Sequence, residues 1–141
     1  NRLNGYRQAM KRHGLEEEIR VVAGAYTEKG GAEGVARLVD EGVEFTAILA
    51  PNDLAALGVL EALNARGFRV PEDVSVVGYD DTFLAGLGHI DMTSVRQDAR
   101  QMGAQAVEML IERADGQRTT TDHIVLEPTL TIRSSTAPPP H

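Results

Sequence analysis

VPEDVSVVGYDD, residues 70–81, runs a β-branched apolar segment straight into two adjacent carboxylates. Val74, Val76 and Val77 suit a strand, because branching at Cβ fits a pleated, packed surface. The run does not alternate with polar residues, which marks a strand buried on both faces, as in a parallel sheet. A buried segment that ends in acid needs a reason, and the flanking sequence supplies one.

FTAILA, residues 45–50, is a second continuous apolar strand, and IRVVAGA, residues 19–25, reads as a third. Between them Ala32, Val35, Ala36 and Val39 recur at i, i+3, i+4 and i+7, the stripe of a helix packed on a sheet. A further helix carries Leu54, Leu57, Leu60 and Leu63 after Pro51-Asn52-Asp53, where Asn52 suits the N-cap. An opening helix places Leu3, Tyr6 and Met10 on one face. Gly14, Gly42 and Gly67 fall where these helices must stop, since glycine tolerates the left-handed closing conformation. Downstream, MTSVRQ (residues 92–97) is a fourth extended piece, and Asp98 with Gln101 resembles a capping box. Gly103, Ala106, Val107, Leu110, Ile111 and Ala114 then form one helical face. HIVLEPTLTIRSS (residues 123–135) alternates and contains Pro128, so it reads as a peripheral strand or two strands joined by a kink. Strands alternate with helices throughout, which defines an α/β fold on a largely parallel sheet.

In such a sheet ligands bind beyond the carboxyl ends of the strands, where loops enter helix N-termini. Three strand ends carry suitable groups: Ala25-Tyr26-Thr27, Pro51-Asn52-Asp53 and Tyr79-Asp80-Asp81. An aromatic, an amide and a carboxylate on one edge suit a hydroxyl-rich ring, because the aromatic face covers C–H groups while the amide and carboxylate take hydroxyls. Asn52 can cap and touch ligand at once; Asp80 is the better-placed carboxylate, and Asp81 reads as turn chemistry.

Composition narrows the class. With 141 residues, 42% hydrophobic and 25% charged, the chain has one domain's length and can bury a core. A net charge of −7 supplies no broad basic face for phosphates, so DNA contact is expected only from residues outside this sequence. The absence of cysteine excludes disulfides and thiolate chemistry and fits a reducing compartment. No apolar run reaches membrane-spanning length. The opening at Asn1, already helix-like, reads as part of a longer polypeptide, and APPPH at the end has the composition of a disordered tail.

Catalytic patterns fail. His13, His89, His123 and His141 are scattered without ligand spacing, so no metal is expected. Ser75 lies inside a strand rather than on a G-x-S-x-G elbow. Asp80 and Asp81 would project to opposite faces of a strand and address one substrate only if the chain turned there. A phosphate-accepting receiver needs a cation after a later strand, but the only lysines, Lys11 and Lys29, lie on the first two helices. Gly30, Gly31 and Gly34 fit no phosphate-loop frame and read as helix-start and packing glycines. Neither enzymatic activity nor a cofactor is expected.

Four stretches taken in order, RLNGYRQAM (2–10), ILAPNDLAALGVLEALNARGFRVPEDVSVVGYDDT (48–82), TSVRQDARQMGAQAVEML (93–110) and LEPTLTIRSST (126–136), resemble the effector-sensing domain of the lac repressor/galactose repressor family of bacterial transcription regulators. The resemblance implies a helix-turn-helix, a hinge, and a sensor of two lobes like sugar-binding periplasmic proteins, with the effector between them. Each lobe would be a three-layer α/β/α, Rossmann-like parallel sheet of the type I periplasmic-binding-protein kind. It implies that residues 1–95 form the C-terminal lobe and 96–128 a crossover and helix belonging to the N-terminal lobe. Residues 129–135 would return to the first of these, and 136–141 would be a disordered tail. Arg2 matches an arginine that reaches the effector from a first helical turn, and Tyr26 an aromatic that stacks on its ring. Asn52 and Asp80 match hydrogen-bonding positions, and Gln97 lies where the chain crosses between lobes. A cytoplasmic homodimer sensing a sugar or related metabolite, with operator DNA bound elsewhere in the polypeptide, is the implied function; a periplasmic sugar-binding protein of a transporter is the alternative. The helix from Asp98 to about Asp115 is expected to pack on a second copy or sit in a non-native position. Two residues depart from the family pattern: Ala25 stands where an acid is frequent, and Asp91 lies in HIDMTSV where proline is common.

Overall fold

The computed structural model describes residues 2–140; Asn1 and His141, at the ends of the expected opening helix and tail, lie outside the described residues. The elements run α1 (Arg2–Arg12), a 3-10 turn (Glu16–Glu18), α2 (Glu28–Asp40), β1 (Ala47–Leu49), α3 (Asp53–Ala65), β2 (Ser75–Asp80), β3 (Ser94–Arg96), α4 (Ala99–Ala114) and β4 (Thr129–Thr131). The sheet order is β1-β2-β3-β4, with β1, β2 and β3 parallel and β4 antiparallel to β3. The α/β class and the parallel-dominated sheet follow the alternation in the sequence.

Local chemistry sets the helix limits. Thr27, Asn52 and Asp98 each accept a backbone N–H three residues on, from Gly30, Ala55 and Gln101. At the other end of α1, Gly14 takes φ 72, and the N–H of Leu15 reaches back to the Met10 carbonyl at 2.9 Å. That is a Schellman ending. The Gly14 N–H also reaches the Lys11 carbonyl, and the same pair of backbone bonds recurs at Gly42, Gly67 and Gly116.

The core lies between the α2/α3 layer and one face of the sheet. Val35 of α2, Val59, Ala62 and Leu63 of α3, Val74 and Val76 around β2, and Met92 form its buried cluster. Each of the valine, leucine and methionine side chains contributes roughly 1.5–3 kcal/mol on burial. Gly31 and Gly58 bring the two helices together: a Cβ on Gly31 would collide with the Ala55 carbonyl, and one on Gly58 with that of Glu28. Gly31, buried with Gly30, is therefore a packing glycine.

Val77 and Tyr79 alternate with Val76 and Gly78 and so face the opposite side. There the Arg2 guanidinium of α1 stands 4.0 Å from the Tyr79 ring centroid. No residue of α1 is buried, so this third layer covers the sheet without sealing it.

The strand expected over 19–25 does not form; no backbone ladder joins this segment among the described residues. Only Ile19 and Val22 are partly buried, and Ala23-Gly24-Ala25 brings almost no side chain to a sheet. The segment is held instead by side chains: Arg20 donates its N–H to the Tyr6 hydroxyl at 3.4 Å, and Arg37 donates to the Ala23 carbonyl at 3.4 Å. In 123–135 only Thr129–Thr131 becomes a strand, on the sheet edge after Pro128.

From β3 the chain departs into α4 and returns beside it as β4, with Arg96 opposite Thr129. α4 is fully helical, yet none of its residues is buried, and Met102, Val107, Leu110 and Ile111 are exposed. Beyond β4, the Thr93 and Thr136 hydroxyls meet at 2.9 Å, and Ala137 donates its N–H to Ser75 Oγ at 3.1 Å. Asp91 adopts φ 39, a backbone state closed to proline, and its Oδ2 accepts the Ser134 N–H at 3.1 Å. Asp91 thereby ties the loop before β3 to the segment that follows β4.

Candidate functional site

The parallel strands β1, β2 and β3 end on one edge, at Leu49, Asp80 and Arg96. Side chains from the following loops gather there. Asn52 caps α3 by accepting the Ala55 N–H at 2.8 Å, and its amide donates to the Tyr26 carbonyl at 3.1 Å. One residue therefore closes a helix and ties two loops together. An amide nitrogen carries two hydrogens, so Asn52 retains a further donor.

Asp80 sits at the centre. Its Oδ1 accepts from Gln97 Nε2 at 2.6 Å and faces Arg2 Nη2 at 3.4 Å. Arg2 also donates from Nη1 to the Pro51 carbonyl at 2.5 Å while its guanidinium covers the Tyr79 ring. Arg2 thus spans the ends of β1 and β2, and Gln97 adds the end of β3. The chain turns at the acidic pair, with φ 102 at Asp80 and 49 at Asp81. That turn separates the carboxylates: Asp80 joins Arg2 and Gln97, whereas Asp81 Oδ2 accepts from Thr131 Oγ1 at 2.9 Å. Asp81 has the structural part read from the sequence.

Between α1 and the sheet lies a cavity of about 490 Å³, whose wall includes Arg2, Tyr6, Leu49, Tyr79, Val95 and Gln97. A concavity of this volume can hold a small-molecule ligand. Arg2 and Gln97 are in the wall. Asp80 is bonded to both, and Asn52 follows Pro51, which Arg2 holds. Tyr26 is joined through its carbonyl, and the residue is 62% exposed. Arg2, Asp80 and Gln97 are thus joined side chain to side chain, whereas Asn52 and Tyr26 are tied to each other and neither lines the cavity. Aromatic surface from Tyr6 and Tyr79 beside guanidinium, amide and carboxylate groups can cover C–H faces and bond hydroxyls together.

The sequence reading placed Tyr79 and Asp53 at strand ends and Tyr6 on a helix face but did not single them out as site residues. Tyr79 was legible as the residue before Asp80, facing away from the core by strand alternation. Asp53 is 1% exposed and accepts from Thr82 N–H at 2.6 Å, Thr82 Oγ1 at 2.8 Å and Ser94 Oγ at 2.6 Å. Its signal was an acid set directly inside an apolar helix, where a carboxylate needs donors.

A family model for the periplasmic binding protein-like domain matches residues 1–136. The HTH-type transcriptional regulator CelR of Thermobifida fusca is 40% identical over 135 residues, 95% of this chain and 40% of that protein. AscG of Escherichia coli K12, another HTH-type transcriptional regulator, is 39% identical over 82% of this chain and 34% of its own length. Among solved structures, a LacI transcriptional regulator from a Rhodococcus species superposes with a TM-score of 0.93 at 43% identity, covering 99% of this chain and 52% of that one. The CelR–cellobiose complex superposes at 0.88 with 40% identity, covering 95% and 41%. The chain belongs to the periplasmic binding protein-like domain family, and its relatives are LacI-type transcriptional regulators. It spans about two-fifths of the length of the curated relatives it matches. No helix among the described residues is long and apolar enough to cross a membrane.

Proposed function

We propose that this chain is the C-terminal part of the effector sensor of a LacI-type regulator, binding a sugar and controlling operator DNA through a helix-turn-helix elsewhere in the polypeptide. The observation that carries the reading is the Arg2–Asp80–Gln97 cluster, built from α1, β2 and the end of β3 beside a cavity of about 490 Å³. Arg2, Asn52, Asp80 and Gln97 bond the hydroxyls, and Tyr26 covers the ring face. The regulatory class of the relatives, and the cellobiose in the CelR structure, support a sugar sensor over a transport component.

Residues 1–95 and 129–135 then form one lobe, and 96–128 is an excursion into the other. The side-by-side placement of β3 and β4 makes Gln97 and Pro128 neighbours at the crossing, where a hinge belongs. The solvated apolar face of α4 suits burial within that second lobe. Sugar closes the lobes and shifts the population that grips DNA, a coupling of typically about 1–3 kcal/mol. The working protein is a cytoplasmic homodimer and performs no chemistry on its ligand.

The test is operator binding by the intact regulator, measured with cellobiose, ribose and other sugars. A sugar that changes operator affinity several-fold in the wild type and not in Asp80→Ala bears the proposal out. An effect of equal size in both proteins contradicts it.

A further inference from the structure

Consecutive left-handed residues at Asp80 and Asp81, φ 102 and 49, are a state that non-glycine residues keep only when their surroundings impose it. The groups that impose it lie away from the cavity. The Asp81 side chain is 7% exposed, with Oδ2 bonded to Thr131 and Oδ1 at 2.7 Å from Arg133 Nη2. This second contact falls outside hydrogen-bonding geometry, so Oδ1 has no donor and is held by charge attraction. A carboxylate buried to this degree requires its cation. Arg133 is itself fixed, donating from Nη1 to the Met92 carbonyl at 2.7 Å and from its backbone N–H to Thr93 Oγ1 at 2.9 Å.

The remaining groups of the turn are also clamped. The Asp81 N–H donates to Ser94 Oγ at 3.1 Å, Ser94 Oγ donates to Asp53, and Asp53 receives both donors of Thr82. Gly78 leaves room for this buried arrangement, since a Cβ there would collide with Asp53 Oδ1 and the Met92 methyl. One peptide unit separates the Asp80 carboxylate, joined to Arg2 and Gln97, from Asp81, joined to the last residue of β4 and to Arg133 beyond it. A rotation at Asp81 must therefore re-aim Asp80.

We propose that Asp81 and Arg133 are positioning residues: their buried ion pair fixes the left-handed turn and so directs the Asp80 carboxylate at Arg2 and Gln97. The functional consequence rests on the reading of Asp80 as an effector ligand; the geometry does not.

The side-chain amide of Gln97 reports this geometry without any ligand, because it donates to Asp80 at 2.6 Å. In ¹⁵N–¹H spectra of the 141-residue chain, Asp80→Asn marks the resonance position of the altered bond. Asp81→Asn and Arg133→Met are expected to move the Gln97 signal most of the way to that position. Arg133→Lys should restore it in large part, while Asp73→Asn, remote from the turn, should leave it in place. A Gln97 signal at its wild-type position in folded Asp81→Asn overturns the proposal. If Asp81→Asn does not fold, Thr131→Val decides, since it removes one hydrogen bond to Asp81: a partial shift supports the proposal, and none overturns it. Sugar titration of the intact regulator keeps the two readings apart. Unchanged sugar affinity in Asp80→Asn, with the Gln97 signal moved by Asp81→Asn, defeats the effector reading and leaves the positioning role standing.

Discussion

Gln97 Nε2 lies 2.6 Å from Asp80 Oδ1, joining the residue after β3 to the last residue of β2. The bond links the segment between β3 and α4 to the candidate pocket with a carboxylate acceptor, the stronger kind of hydrogen bond.

Gln97→Ala should weaken sugar binding by the intact regulator several-fold, since it removes an amide from the cavity wall and frees the Asp80 carboxylate from the position that amide holds. The melting temperature should fall as well, because the bond to Asp80 exists without ligand and a hydrogen bond to a charged group contributes about 1.5–3 kcal/mol to stability, less where water replaces it. Calorimetric titration of the variant checks the first statement and a thermal melt the second.

Much of this edge was legible in the sequence because its causes are local. The Asn52 and Asp98 caps, the glycine endings and the apolar runs over 45–50 and 74–79 follow from spacing and residue type alone. Turn chemistry at Asp81 was equally local. The partners of Asp81 were not, because Thr131 lies 50 residues away and no period relates them. The segment 19–25 shows the converse: β-branched residues suggested a strand, but tertiary context offered too little side-chain contact to support a ladder. Asp53 was hidden by its helix pattern, since only the fold brings Thr82 and Ser94 to it.

Asn52→Ala removes the α3 cap and the tie to the Tyr26 carbonyl together. A stability loss of about 1–2 kcal/mol is expected from the cap. Denaturant unfolding measures it, and faster amide exchange at Ala55 should accompany it.

Gly31→Ala tests the contact between α2 and α3. A Cβ there meets the Ala55 carbonyl, a backbone group that cannot swing aside. Overpacking of this kind costs about 1–3 kcal/mol, whereas Gly34→Ala, with open space at its Cβ, should be neutral or stabilising. Parallel thermal melts of the two variants make the comparison.

Acid stability should carry the mark of Asp73. Hydrogen bonds from the Arg69 side chain, then the Arg69 backbone N–H, hold its carboxyl down to about 2 from an ordinary 3.8. The folded value lies below the unfolded one, so the stabilising contribution is complete above about pH 4 and is lost as pH falls through about 2. Asp73→Asn should lose less stability than the wild type between those limits. Carboxyl NMR titration of Asp73 and acid unfolding of both proteins check the value and the sign.

The most direct measurement is titration calorimetry of the intact regulator with the sugar that alters its operator binding, comparing wild type and Asp80→Ala. Loss of a charged acceptor held among Arg2 and Gln97 predicts affinity at least about 10-fold weaker in the variant. Equal affinity in the two proteins would contradict the placement of Asp80 in the effector site.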